Sequence, residues 1–412
     1  MNRRPPTRWD CAQKMIASIE RSTASSPAGS VIRGPSVLTL ANNSTDVGVN
    51  MRRMVSSLGW SAYRDASGYN PPEIHMPNSP DISRQYQAAI TSAGLHLRSD
   101  RGLIEVTGAD RAAWLSNLVT NVIKTLQPGE GNYAFATNVK GRTVFDLNVL
   151  VLEDRLWLDV AGPWRETALK HFDKYIITED VKLADRSAEF ARAAIMGPRA
   201  GDIVSALGFG NLGPMSQLQH LAGRIGGVDV RMVRHDFAGL ATAEFIVPNE
   251  SADPVAASIA GAVSGLTCEQ LSDGAVEVLR IEAGIPASVV DIDEEVVPPE
   301  TCQVERGISY HKGCYLGQEV IERMRSHGIL ARKLVGLRIE GQAPSAAGSI
   351  VKRDDKEIGR VTSVCWSEAL GAPLALGYLK TIHAQPDTKV TLGDSSGGLS
   401  AIVAALPVRP KA

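Results

Sequence analysis

The sequence predicts an α+β protein of several packing units that ends in a small antiparallel barrel or sandwich. Three observations predict it. The 412 residues exceed what one hydrophobic core supports at about 100–200 residues per domain, and suggest two to four units. Helical and strand-like spacings of apolar residues alternate from about residue 82 to 330. From Leu334 to Pro407, short strand-like runs follow one another, broken by Gly and polar turns.

Residues 1 to about 80 carry the polar strings Ser22–Ser30 and Asn42–Thr45, then Pro71, Pro72, Pro77 and Pro80. Proline at that density removes backbone donors and blocks helix, so residues 1–81 read as a disordered or turn-rich extension. Met76 within it is a candidate alternative start of translation. From Asp110 to Leu126, Leu115, Leu118, Val119 and Val122 recur at helical spacing, with Asp110 as N-cap and Pro128-Gly129 beyond the end. Thr143 to Val160 alternates and turns at Glu153-Asp154-Arg155, which predicts a β-hairpin. On its first strand Phe145, Leu147, Val149 and Val151 share one face. The other face carries Val144, Asp146, Asn148, Leu150 and Leu152, so two polar side chains project from an otherwise apolar surface. Pro163–Ile177 returns to helical spacing through Leu169, Phe172 and Ile176. In the C-terminal part, Lys333–Ile339, Ile358–Cys365, Leu374–Tyr378 and Lys389–Leu392 read as strands. The divisions expected are 1–81, 82–330 and 331–408.

Composition excludes several classes. With 43 Lys+Arg against 45 Asp+Glu and a net charge of -2, the chain lacks the basic stripe that grips a nucleic-acid backbone. No run approaches the roughly 18 apolar residues that span a bilayer, so neither nucleic acid nor membrane is an expected partner. The five cysteines, Cys11, Cys268, Cys302, Cys314 and Cys365, are odd in number and form no C-x-x-C pair. That argues against a disulfide framework or structural zinc and fits a reducing compartment: the cytoplasm, or the mitochondrial matrix in a eukaryote. The basic start has no apolar run behind it, and Asp10 and Glu20 interrupt a transit-peptide pattern.

The most distinctive string is Lys312-Gly-Cys-Tyr-Leu-Gly-Gln-Glu-Val320. Val320, Ile321 and Met324 follow at helical spacing until Gly328, so Cys314 lies within about one turn of a helix N-terminus and two residues from Lys312. Both positive groups favour the thiolate; a buried loop cysteine is the alternative reading. His311 and His327 flank the string and read as solvated. Asp291-x-Asp293-Glu294-Glu295 reads as a solvated acidic turn rather than a cation site. No metal site is expected.

Lys312–Glu319 resembles the motif of YgfZ-type folate-binding proteins, which share the fold of the glycine-cleavage T protein (GcvT), an aminomethyltransferase. Thr107–Leu115 with Thr120-Asn121, Asn138–Asp146, Leu279–Pro286, Ile358–Ser363 and Leu374–Tyr378 occur in that family's order, over about residues 82–408. Asn138–Asp146 also resembles the mitochondrial iron–sulfur assembly member. The resemblance implies a GcvT-like three-domain clover-leaf around a central cavity for tetrahydrofolate, with two interleaved α+β subdomains and a C-terminal antiparallel β-barrel. It implies Asn138, Asp146, Asn148, Arg280, Tyr315, Gln318 and Glu319 as cofactor-binding residues, and Cys314, Lys312 and Asp146 as the catalytic set. Arg280 could instead pair with Glu282 or the Asp291–Glu295 run. Two departures from the transferase stand out. Phe145-Asp146 replaces its paired aspartates, and Leu240 of Phe237-Ala-Gly-Leu-Ala241 replaces a glutamate that would hold the pterin. The expected function is therefore a monomeric folate-binding accessory protein for assembly or repair of iron–sulfur clusters. It would act through Cys314 on iron–sulfur carrier proteins or client enzymes. The alternatives are a folate-dependent aminomethyltransferase or demethylase, and a binding module whose folate cavity has decayed.

Overall fold

The computed structural model describes residues 80–328, 330–393 and 397–408. Nearly all of the expected N-terminal extension, Met76 included, lies outside the described residues. Pro80 opens helix α1 (Pro80–Thr91), where a missing N–H costs nothing, and Asp81 sits in its first turn. The two strands that follow, β1 (Ala93–Leu97) and β2 (Arg101–Thr107), enter different sheets.

β3 (Gly131–Thr137), β4 (Thr143–Val151), β5 (Leu156–Ala161) and β6 (Lys182–Asp185) join β2 in a five-stranded antiparallel sheet of order β3-β4-β5-β2-β6. β7 (Phe190–Met196), β8 (His220–Ile225), β9 (Val228–Arg234), β10 (Thr242–Pro248) and β11 (Cys268–Gln270) join β1 in a six-stranded sheet of order β11-β1-β7-β10-β9-β8, whose β1–β11 pair is parallel. Last come β12 (Arg332–Ile339), β13 (Ile350–Arg353), β14 (Lys356–Ser367), β15 (Ala372–Lys380), β16 (Lys389–Leu392) and β17 (Leu399–Ala404). They close into an antiparallel barrel of order β12-β15-β14-β13-β16-β17. Closure leaves no sheet edge exposed. Gly359 permits it: a Cβ there would meet the Tyr378 carbonyl oxygen at 2.0 Å.

Between the strands lie α2 (Arg111–Ser116), α3 (Arg165–Asp173), α4 (Ala200–Ala206), α5 (Ala252–Ala262), α6 (Asp273–Ala283), α7 (Val304–Gly307) and α8 (Gln318–His327). α4 and α5 cover one face of the six-stranded sheet through Ile203, Val255 and Ile259 packed on Ile195, Met232 and Phe245. α6 starts at Ser272, whose hydroxyl accepts from the Ala275 N–H, and stops at the left-handed Gly284. Its Leu279 and Ile281 share a cluster with Tyr86 of α1 and with Leu374 and Tyr378 of the barrel. Full burial of such a leucine contributes about 1.5–3 kcal/mol. No helix among the described residues is long and apolar enough to cross a membrane.

The predicted hairpin is present, turning between Val151 and Leu156, and α8 ends at Gly328 as its spacing implied. The helix expected over Asp110–Leu126 ends instead at Ser116. Its later apolar residues are buried from a loop: Val119 bridges to Ala136, and the Thr120 N–H donates to the Phe135 carbonyl at 2.9 Å. Asp110 occupies the N-cap position, yet its carboxylate accepts from the Asp180 N–H, not from its own helix.

Candidate functional site

A cavity of about 390 Å³ lies where the two sheets meet α6 and the segment following it. From the five-stranded sheet come Tyr133 on β3 and Asp146 and Asn148 on β4, the polar residues that alternation placed on one face. The corner between β1 and β2 supplies Arg98, Asp100 and Arg101; the turn between β9 and β10 supplies His235 and Phe237. α6 and the loop beyond it add Val276, Glu277, Arg280, Ile285 and Ser288, and Arg306 completes the lining.

Asp146 is held from both sides. Its Oδ2 accepts from the Tyr133 hydroxyl at 2.9 Å and its Oδ1 from the Ser288 hydroxyl at 2.5 Å. Burial, and then the neighbouring Asp146 charge, push the Tyr133 hydroxyl well above its ordinary pKa, so it stays a donor. A carboxylate offers about four lone-pair positions, which leaves Asp146 two for a ligand. The Arg306 guanidinium lies 4.1 Å from the Tyr133 ring centroid.

Behind Asp146 runs a buried charge network. Asn148 donates to Asp159 at 2.7 Å; Arg101 and Arg192 donate to the other oxygen of Asp159 at 2.9 and 2.8 Å. Arg192 also reaches Glu244 at 3.2 Å, and Glu244 further binds Arg98 at 3.3 Å and His235 Nδ1 at 3.0 Å. Arg98 in turn pairs with Asp100 and stacks 4.0 Å from the centroid of Phe237. Burial alone would raise the pKa values of Asp159 and Glu244. Arg101 and Arg192 hold Asp159 ionised, and Arg98, His235 and Arg192 hold Glu244 well below the usual carboxylate range. Burial lowers His235, leaving it neutral against that carboxylate.

Arg280 lines the cavity, but its donors are committed. It pairs with Glu277 and Asp291, and donates to the Ile285 carbonyl at 3.1 Å and the Ser363 hydroxyl at 2.7 Å, tying α6 to the barrel. Glu282 is not its partner: that carboxylate takes the hydroxyls of Tyr86 and Ser367 at 2.7 Å each. Nor is Asp291 part of a solvated turn, since it is buried and also accepts from Thr362 and Ser363.

The remaining predicted residues stand elsewhere. Asn138, Lys312, Cys314, Tyr315, Gln318 and Glu319 are all absent from the cavity lining. Asn138 Oδ1 accepts from the N–H groups of Lys140 and Arg142, shaping the β3–β4 turn. The Lys312 ammonium is spent on the carbonyls of Ser116, Val119 and Asn121, at 2.7 and 2.8 Å for the last two. Burial pushes its pKa down to about 7. Gln318 folds back toward the Tyr315 N–H, while Glu319 is exposed and pairs with Arg323 one turn along α8. Tyr315 is buried with its ring 5.1 Å from the Lys312 ammonium. Cys314 is exposed. What holds this string in place is close approach: Gly317 has φ +78°, and a Cβ on it would meet the Asn138 carbonyl oxygen at 2.4 Å. The expected single site of Cys314, Lys312 and the folate residues is therefore two places.

Leu240 is also outside this cavity. It is buried and lines an adjoining recess of about 780 Å³, which shares Ile285 and Arg306 with the cavity and where Asp236 is already paired with Arg234. The residues that sequence reasoning passed over, His235, Arg98, Asp159, Arg192 and Glu244, are lone charges or polar groups in or beside apolar strands.

The GCVT N-terminal domain profile matches residues 53–311, well over half of the chain. The chain belongs to the GcvT family. The glycine cleavage T-protein C-terminal barrel domain follows on residues 332–408, the part that forms the closed barrel. The match begins at residue 53, within the stretch read as an extension. An aminomethyltransferase from Cutibacterium acnes is 28% identical over 367 residues, covering 85% of this chain and 95% of the relative. One from Rubrobacter xylanophilus is 29% identical over 335 residues, covering 79% and 83%. The crystal structure of the glycine cleavage system aminomethyltransferase T from Bartonella henselae superposes with a TM-score of 0.72 at 19% identity, over 82% of this chain and 92% of that one, which shows the same fold. Tetrahydrofolate is the cofactor or cosubstrate of the GcvT family.

Proposed function

We propose that this chain binds tetrahydrofolate in the 390 Å³ cavity and handles a one-carbon unit there, as an aminomethyltransferase-type protein. The observation that carries the reading is Asp146: a buried carboxylate on an apolar strand, fixed by Tyr133 and Ser288 and still able to accept two hydrogen bonds. The lining fits the group. Phe237, Val276 and Ile285 give flat apolar surface for a ring, Asp146 accepts from a pterin edge, and the Arg306 guanidinium suits a carboxylate tail. Tetrahydrofolate, when bound, supplies a ring nitrogen that accepts the one-carbon unit. Asp146 orients that ring by accepting hydrogen bonds from it. Asn148, fixed by its donation to Asp159, and behind it the pairs of Asp159 with Arg101 and Arg192 make the wall next to Asp146 rigid.

This reading replaces iron–sulfur assembly as the leading one, because the chain is similar to aminomethyltransferases along most of its length and Cys314 is outside the cavity lining. The YgfZ-type assignment and an iron–sulfur partner rest on the Lys312–Glu319 string. The exposure of Cys314 favours a surface role for it toward a partner, separate from folate.

Calorimetric titration with tetrahydrofolate tests the reading. Wild type should saturate, and Asp146→Asn should bind about ten-fold more weakly, equivalent to about 1.4 kcal/mol. Absence of saturation by folded wild type at millimolar ligand would remove it.

A further inference from the structure

A recess sharing no residue with the folate cavity opens beside β8, β9 and β10, where they meet β5. Its volume is about 510 Å³, within the range of small-molecule sites. Trp157 and Phe190 form one wall, their rings 5.0 Å apart and inclined at 59°. Ile246 and Pro248 extend the apolar surface, and the small Ala222 also lines the recess.

Arg231 also lines the recess, with its guanidinium 5.7 Å from the Trp157 ring centroid. Its Nη1 donates to His220 Nδ1 at 2.8 Å. An accepting Nδ1 requires that His220 carry its single proton on Nε2. Burial, and then the adjacent Arg231, push that imidazole down to about 4, so it adds no charge. Among the described residues no carboxylate lies within ion-pair distance of Arg231. Asp229, on the same strand, is taken by Arg224 at 2.6 Å, and Glu153 acts on Arg231 only at a distance. One further N–H group at this junction, Trp157 Nε1, is buried without a partner among the described residues. A half-buried cation with no counter-ion is desolvated without return, and burial lowers its pKa accordingly.

One ligand chemistry answers each of these features. A carboxylate matches the planar fork of a guanidinium with two parallel hydrogen bonds, and an aromatic body packs against the parts of Trp157 and Phe190 that line the recess. A phosphate would call for a second available cation, and Arg224 is engaged. We propose that this recess binds a small aromatic carboxylate, with its carboxylate on Arg231 and its ring against Trp157 and Phe190.

Benzoate is the probe, titrated calorimetrically into the full chain beside benzamide, which has the ring without the charge. Benzoate should saturate, and benzamide should bind at least about ten-fold more weakly. Arg231→Gln should lose benzoate by about ten-fold or more, while Arg231→Lys, which keeps the charge, retains part of it; this pair separates lost recognition from lost folding. Asp146→Asn should leave benzoate affinity unchanged. No saturation by wild type, undiminished binding by Arg231→Gln, or loss of binding in Asp146→Asn would each overturn the proposal, the last by assigning benzoate to the folate cavity.

Discussion

Replacing Glu244 with glutamine tests whether the charge network behind the cavity supports the fold around it. Glu244 is 2% exposed and faces Arg98, Arg192 and His235. Arg98 and Arg192 have second partners in Asp100 and Asp159, and Arg101 also binds Asp159. Among the described residues three arginines thus meet three carboxylates, and Glu244→Gln removes one of the negative charges that face them in the interior. Breaking a buried pair from one side costs about 3–5 kcal/mol. Glutamine keeps one accepting oxygen, which places the loss near the lower end, about 3 kcal/mol. At about 2–4 °C per kcal/mol for a domain of this size, the melting temperature should fall by about 6–12 °C at neutral pH. The pH dependence carries a sign. The folded-state pKa of Glu244 is depressed below its ordinary 4.5, so its stabilisation is fully present above that value and is lost as pH falls through the folded pKa. Thermal scans of wild type and variant should therefore diverge most at neutral pH and converge in acid below about 4.5. A shift under about 2 °C at neutral pH, or a gap that widens in acid, would refute the reasoning.

Three further expectations concern the Lys312–Glu319 string. Gly317→Ala places a Cβ 2.4 Å from the Asn138 carbonyl at a φ of +78°, so urea unfolding should show a loss of about 1–3 kcal/mol; an unchanged midpoint would mean that the string does not dock on the β3–β4 turn. Alkylation of the native protein followed by peptide mapping should modify exposed Cys314 and spare Cys268 and Cys365, whose thiols burial pushes up, to about 12 for Cys268. Cys314→Ala should keep tetrahydrofolate affinity within about two-fold, or about 0.4 kcal/mol; a larger loss would bring the cysteine into the folate site.

Asp146 and Asn148 were legible because one strand displays them: two polar residues on the same face of an alternating apolar run need nothing beyond the period of two. The same argument extends to strands where it was not applied. Asp159 in Leu156–Ala161, Arg192 in Phe190–Met196 and Glu244 in Thr242–Pro248 each interrupt an apolar strand with a single charge. Such a charge is buried only with a partner, and the partners lie 33 and 52 residues apart in sequence. No local pattern could pair them, since the pairing is created by β5, β7 and β10 meeting across two sheets. The barrel was readable from β12, β14, β15 and β16, whereas β13 is only four residues, Ile350–Arg353, two of them the charged Lys352 and Arg353. The helix over Asp110–Leu126 was overextended for a related reason: Leu118 and Val119 are buried at helical spacing by a loop that pairs with β3, and burial alone does not distinguish the two conformations.

The Lys312–Glu319 string shows where motif reading and physics part. Its residues look chemical: an ammonium, a thiol, a phenol, an amide and an acid in eight positions. In the folded chain, Lys312 caps three carbonyls, Gly317 admits the Asn138 backbone, Gln318 turns back to the start of its own helix and Leu316 exchanges hydrogen bonds with Asn117 and Thr137. Those are requirements of close packing between the α2–β3 loop, the β3–β4 turn and α8. Such requirements constrain residue type as tightly as catalysis does, because a buried carbonyl left without its donor costs about 1–3 kcal/mol. Specificity of a string is thus evidence of constraint, and the geometry decides its kind: around Cys314 the neighbours are mechanical and the thiol faces outward, whereas Asp146 stands in a cavity with its partners already arranged for a ligand.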